Sequence, residues 1–288
     1  MHALPIQLLN GLVYGMLLFL LSAGLSLIFG LLRVINLAHG SFYMLGAFVG
    51  LAVIQTTGNF WIALFGAPLL VGLLGVAFQL VFIRRIDRRP QLDQVLMTFV
   101  FTMIFFDLVQ SVWGNAIRQV PPPASLAGSV LLGSVPFPSY RLFLIVLGLA
   151  LALLLWLGLG RTRIGAMIRA GVDNRAMAAG LGIEIERLFT IIFALSVALA
   201  ALAGVAAGPV LGLYPGMDGE ILILCFITIV CGGMGSLRGA FVGSVLIGQA
   251  DNFGRAYLPE FASFMVYAVM IALLLARPRG LFGQLADV

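Results

Sequence analysis

Residues 11 to 32, GLVYGMLLFLLSAGLSLIFGLL, carry no charged side chain and no proline. An apolar run of that length is what one helix needs to cross a hydrocarbon layer about 30 Å thick. Comparable runs follow outward from it, and together the candidate spans fall at roughly 6 to 30, 34 to 54, 61 to 83, 92 to 113, 140 to 159, 188 to 211, 221 to 236, 239 to 254 and 261 to 276. That is about nine passes. With 62% hydrophobic and 9% charged residues over 288 positions, no soluble domain is implied. The expected fold is an all-α polytopic membrane protein of about eight to ten transmembrane helices, some glycine-interrupted or re-entrant, forming a single transmembrane domain over residues 1 to 288. The first run lacks the arginine-rich start and small-residue cleavage site of a signal peptide and is too long for one, so it reads as a retained span.

All 16 basic residues are arginine. Without a lysine there is no G-K-[ST] phosphate loop, so ATP hydrolysis by this chain is not expected. The net charge of +5 sits in short clusters between apolar spans rather than in a continuous basic face, which argues for membrane orientation and against nucleic acid. Arg84, Arg85, Arg88 and Arg89 mark one loop, and Arg161, Arg163, Arg169, Arg175 and Arg187 another; both should be cytoplasmic. The proline-bearing segment from Gly114 to Tyr140 and the loop from Gly212 to Glu220 then face outward. Alternation places the N-terminus outside and the tail with Arg277 and Arg279 inside. A re-entrant segment around 231 to 243 would break this agreement.

Gly-Ala-Phe-Val-Gly occurs at Gly46 to Gly50 and again at Gly239 to Gly243. Broken segments in corresponding positions of two halves point to a transport site, and chance in a sequence rich in these residue types gives the same match. The topology puts both copies in one orientation, so either the repeat is parallel or the span count is off by one. Cys225 and Cys231 lie on one expected helix but on different faces, which makes a disulfide between them geometrically implausible.

Three stretches could carry function. The loop from Arg161 to Arg187 holds a short helical pattern: Asp173 is a good N-cap, Asn174 to Leu181 gives about two turns, Met177, Ala178 and Leu181 share an apolar face, and Gly180 or Gly182 can end it. Two turns are too short to cross a membrane and too weak to persist without a partner surface. Docking on another protein fits this, and so does a helix resting on anionic headgroups. At Asn36, Ala38, His39, Gly40 and Ser41, followed by Gly46, polar groups at the start of a span must be satisfied within the protein or by water in a cavity. His39 reads either as a helix-end cap or as a solute contact; as one of two histidines it makes no metal site. Gly232, Gly233, Gly235 and Ser236 allow close helix packing or backbone lining of a pore. The acids Asp107 and Asp251, beside Gln110 and Asn252, sit near span ends, leaving no convincing carboxylate at mid-depth for ion coupling. No catalytic set of an intramembrane enzyme is present.

These residues carry a resemblance. The stretch from Ile35 to Ala47 resembles the N-terminal signature of the LivH-type permeases of branched-chain amino-acid ABC importers, with Asn36, Ala38, His39, Gly40 and Gly46 at its positions. The loop from Asp173 to Ile183, including Ala179, Leu181 and Gly182, resembles that family's ATPase-docking motif, with Asp173 and Asn174 where the general importer motif has a glutamate. Gly232 to Ala240 and Arg277 to Gly283 complete the pattern over nearly the whole chain. The resemblance implies a bacterial inner-membrane subunit that pairs with a second, LivM-type permease. Two cytoplasmic ATPase subunits would hold ATP and magnesium, and a periplasmic solute-binding protein would deliver the solute, while this chain itself would need no cofactor. It further implies alternating access, with the 161 to 187 loop as the coupling element and the glycine-interrupted segments as the pathway. The competing readings are an ion-coupled secondary transporter and a passive channel for a small polar solute such as urea.

Overall fold

The computed structural model describes residues 3–32, 36–87, 89–132 and 135–283; Arg88 of the first arginine cluster and Ile35 of the quoted signature lie outside them. The helices are α1 (Ala3–Leu32), α2 (Ala38–Thr57), α3 (Phe60–Ile86), α4 (Gln91–Trp113), α5 (Ser139–Arg161), α6 (Arg163–Asp173), α7 (Arg175–Gly180), α8 (Ile185–Leu211), α9 (Met217–Gly232), α10 (Leu237–Tyr257) and α11 (Ala262–Ala276). A two-stranded hairpin, Ser129–Leu132 with Val135–Pro138, lies between α4 and α5. Among the described residues, 7 helices are long and apolar enough to cross a membrane, and α9 and α10 form a pair bent by 119° at their break. The all-α polytopic reading therefore holds, and the irregular stretch expected near 231 to 243 is this bend.

Two helices do not run the full depth. α1 ends on the inner side at Leu32, and α2 begins beside the middle of its neighbours. His39 Nε2 meets the Leu21 carbonyl oxygen at 3.1 Å, and Thr98 Oγ1 of α4 accepts from the Leu37 N–H at 3.2 Å. A Cβ added at Gly24 would touch both His39 and Ser196, the latter halfway along α8. The chain leaves the outer end of α8 and folds back before α9. Asp218, in the first turn of α9, accepts a 2.8 Å hydrogen bond from Ser41 Oγ in the first turn of α2. With 16 residues, α9 is about 24 Å long, short of a full crossing. Two helix N-termini thus meet near mid-depth, one helix continuing outward and the other inward.

The packing makes this a repeat of inverted topology. Antiparallel α1 and α10 meet along their length, Gly30 against Gly235, Phe19 against Phe241 and Gly15 against Val245. Antiparallel α3 and α8 meet in the same way, Gly75 against Val197, with Thr190 donating to Gln79 Oε1 at 2.9 Å. The order α1–α2–α3–α4 is thus matched by α8–α9–α10–α11, with α5 to α7 between the halves. The two Gly-Ala-Phe-Val-Gly copies lie on α2 and α10, which are not counterparts, so the pentapeptide does not mark the repeat. What it marks is close packing: a Cβ at Gly46 would fall on Ala201 of α8, and one at Gly239 on the Gly232 backbone. Small residues let backbones approach in a medium that offers no hydrophobic drive between helices.

Candidate functional site: an outer chamber and a cytoplasmic docking module

At the outer end, a cavity of about 490 Å³ opens between the outer half of α1, the end of α8, the start of α9 and the end of α10. Its wall is charge-balanced. Arg255 Nε bonds the buried Asp251 at 2.7 Å one turn earlier on α10, while Arg141 at the start of α5 donates to Asn10 Oδ1 at 2.6 Å. Glu220 Oε2 accepts from the Tyr214 hydroxyl at 2.9 Å. Tyr14, Tyr43, Leu17, Met217, Ile221 and Leu224 supply the apolar and aromatic part. Apolar walls with a few convergent polar groups are what a small polar solute needs, both to leave water and to be oriented. The charged residues reach the chamber because α9 starts at mid-depth: the space above its first turn is filled only by the loop from Gly212 to Gly216. That loop is held by a pair of backbone hydrogen bonds, 2.8 and 2.9 Å, between Arg118 and Leu213.

None of the residues singled out in sequence as pathway candidates lines this chamber. Asn36 begins α2 by accepting the Ala38 N–H at 3.1 Å, and His39 is fully buried against α1, so it is neither a helix-end cap nor a chamber residue. Gly40 allows α9 to come close, a Cβ there meeting the Asp218 carbonyl oxygen, and Gly46 allows the approach of α8. Gly232, Gly233, Gly235 and Ser236 do not line a pore. They form the tight inner turn between α9 and α10, with φ of +103° at Gly233 and +79° at Gly235, and Ser236 Oγ caps α10 by accepting the Gly239 N–H at 3.1 Å. The tail seals this turn: the N–H groups of Leu281 and Phe282 donate to the Cys231 and Gly232 carbonyl oxygens at 2.9 Å. Those are the last carbonyls of α9, which have no partner within the helix. Cys225 and Cys231 are both free and buried, and Cys225 accepts from Ser22 Oγ at 3.3 Å.

Two further expectations need correction. Asp218 is not in a solvated outer loop: it is buried beside Ser41 near mid-depth, so an intramembrane carboxylate does exist. Asp251 does not reach up to the interface either, because it is buried and paired in the chamber wall. Both were missed because the chain folds back after Leu211, and hydropathy along a sequence does not register depth.

At the cytoplasmic end, α6 precedes the short helix and was not foreseen. Thr162 caps it, accepting the Gly165 N–H at 3.1 Å. Asp173 is the last residue of α6, so the N-cap of α7 is Asn174, whose Oδ1 accepts the Met177 N–H at 2.9 Å. Gly182, at φ +87°, ends the turn. Met177, Ala178 and Leu181 do not share a face. Ala178 is packed into a core with Ile168, Ile185 and Phe189, while Met177 and Leu181 are 65% and 77% exposed and Ala179 is exposed beside them. Two exposed apolar side chains on a polar face are the feature that a docking partner would cover. Arg175 anchors the helix from the other side by an ion pair of 2.8 Å to Asp87 and by lying 4.4 Å over the Phe189 ring. Arg84 also pairs with Glu186. Both arginine loops are therefore on one side, as the orientation required.

The comparisons place the chain in a family. The sequence pattern of the family described as branched-chain amino acid transport system / permease component matches residues 7–274. The chain is 26% identical to a high-affinity branched-chain amino acid transport system permease protein, LivH, of Salmonella typhimurium, covering 96% of this chain and 95% of that one. It is 28% identical to the corresponding protein BraD of Pseudomonas aeruginosa over the same shares of both chains. A shorter likeness, 31% identical over 48% of this chain and 41% of the other, links it to the autoinducer 2 import system permease protein LsrC of an Enterobacter strain. No solved structure matches it. With the match extending from the first helix to the last, this multi-pass membrane protein belongs to the family of branched-chain amino acid transport permease components.

Proposed function

We propose that the chain is the permease subunit of an ATP-driven importer in a bacterial inner membrane, taking up branched-chain amino acids or related small polar solutes by alternating access. The observation that carries this is the pairing of a chamber at the outer end with a docking module at the other. The full-length helices α1 and α8 connect them. A solute-binding protein on the periplasmic side would release its cargo into the chamber. Two cytoplasmic ATPase subunits, binding ATP and magnesium, would grip Met177, Ala179 and Leu181, and a LivM-type permease would form the other half of the membrane assembly. In this reading the chain itself hydrolyses no ATP and holds no cofactor. The full-length relatives, whose names specify branched-chain amino acids, support this solute class.

Asp218 favours a second reading, an ion-coupled carrier, because a buried intramembrane carboxylate is what such coupling uses. The test is reconstitution of the chain with its genomic neighbours in proteoliposomes. ATP-dependent uptake of radiolabelled L-leucine, unaffected by proton and sodium ionophores, is the expected result. Uptake that persists without ATPase subunits and collapses with an ionophore would establish the carrier instead.

A further inference from the structure

Inverting one half onto the other shows what occupies the place equivalent to the outer chamber. With the starts of α2 and α9, Ala38 and Met217, set in register, His39 corresponds to Asp218 and Thr190 to Gly11. The contacts support that register. Thr190 meets Gln79 of α3, and a Cβ at Gly11 would meet Gln249 at the equivalent depth of α10. In the same register, the chamber residues Tyr14, Leu17 and Ile221 correspond to Phe193, Ser196 and Phe42.

The cavity at the inner end, about 620 Å³, is lined by Leu80, Arg84, Glu186 and Thr190 and not by Phe42, Phe193 or Ser196. Phe42, Phe78, Phe82, Phe101, Phe105 and Phe193 fill the space, with ring centroids between 4.6 and 6.2 Å apart. Beside them are buried polar atoms with no hydrogen-bond partner: His39 Nδ1, Asn36 Nδ2 and Ser196 Oγ. A buried polar group left unpaired costs about 1 to 3 kcal/mol, and native structures keep few of them. Three such atoms, two at the start of α2 and one facing it from the middle of α8, are accounted for if the same groups meet water or solute in another state of the molecule. In the outer chamber, by contrast, Asp251 is paired with Arg255, Arg141 with Asn10 and Tyr214 with Glu220.

We propose that this phenylalanine cluster is the inner gate of the solute pathway, and that Asn36, His39 and Ser196 line the passage that it closes. The gate rests on the transport reading above. Rearrangement of the two halves would part the rings below His39 and close the chamber above Asp218. The pathway crosses this chain at the meeting point of the two half-helices.

The experiment uses the complete assembly in proteoliposomes and follows passive influx of radiolabelled L-leucine and urea without ATP. Phe193→Ala should raise influx on the order of tenfold, equivalent to lowering the barrier by about 1.4 kcal/mol. Phe253→Ala, which removes a stacked ring near the outer end of α10 that does not line the chamber, should stay as tight as the wild type. A tight Phe193→Ala, or equal leaks from both variants, would overturn the gate. A second arm does not depend on cavity formation. Ser196→Cys should resist a small methanethiosulfonate reagent at rest and react during ATP turnover, and failure to react in either state would also overturn the proposal. Wild-type vesicles separate the two readings: absence of ATP-driven uptake there counts against the transport function, whereas normal uptake with a tight, unreactive gate counts against the gate alone.

Discussion

The starts of α2 and α9 are built alike and surrounded differently. Each begins near mid-depth after a long helix, and each places a glycine at the second residue after the helix start, Gly40 and Gly219. Around α9 the polar side chains are paired and the space beside them is open, as with Asp251 and Arg255 or Tyr214 and Glu220. Around α2, Asn36 and His39 keep orphaned nitrogens, His39 turns its other nitrogen onto backbone, and phenylalanine fills the space. Two halves of one topology in two local states are what alternating exposure of a site requires, because exchanging their roles needs no new fold. The bond from Ser41 to Asp218 joins the halves at the point where they would exchange.

The comparison breaks most completely if the halves cannot pack. Gly46→Leu would drive a side chain into the Ala201 backbone, and overpacking of this kind costs about 1 to 3 kcal/mol or more. The variant should lose its folded peak in detergent gel filtration, and a normal peak would show that α2 and α8 tolerate separation. Next in size is loss of drive. Leu181→Asp and Ala179→Arg alter only the exposed face of α7, so uptake and ATPase copurification should fall severely while detergent stability stays at the wild-type value. Ala178→Arg is a different experiment, since Ala178 is buried and arginine there should lower stability itself. Equal outcomes for Ala178 and Ala179 would dissolve the distinction between the inner and outer faces of this helix.

Within the open half, Asp251→Asn leaves the Arg255 guanidinium beside the chamber without its charge partner. Uptake in vesicles should fall about tenfold, the scale of a lost charge-assisted hydrogen bond of 1.5 to 3 kcal/mol partly screened by solvent. Full uptake would mean that the chamber's charge balance is idle. The smallest expected effect is at the junction. Ser41→Ala removes one neutral donor from a buried carboxylate and should cost about 1 to 3 kcal/mol in stability, measured by thermal melting in detergent. Asp218→Asn can still accept the serine hydrogen bond and should keep ATP-driven uptake, whereas its loss would revive ion coupling.

Much of the fold was legible because apolar length and arginine placement act locally. Spans near 61 to 83, 92 to 113 and 140 to 159 agree with α3, α4 and α5, and the arginine loops predicted to share a side are joined by the Arg175 to Asp87 pair. The short helix near 175 was legible from its cap residues, but with Asp173 and Asn174 adjacent, backbone geometry was needed to show which one caps it. The chamber was not legible, since Asn10, Tyr14, Arg141, Glu220, Asp251 and Arg255 come from four separate helices. Each of them alone resembles an interfacial residue.

By itself, then, the sequence determined the solvent, the orientation and the glycines where helices must touch, because transfer free energy, loop charge and side-chain volume belong to individual residues and short runs. Depth was decided by tertiary structure. Whether a helix begins at the interface or halfway across is set by what it packs against, and hydropathy is the same either way. The fold-back before α9 turned Asp218 from a loop acid into a buried one and opened the chamber above it, while the space beside the start of α2 was filled with phenylalanine, because the rings packed there come from four helices that only the assembled bundle brings together.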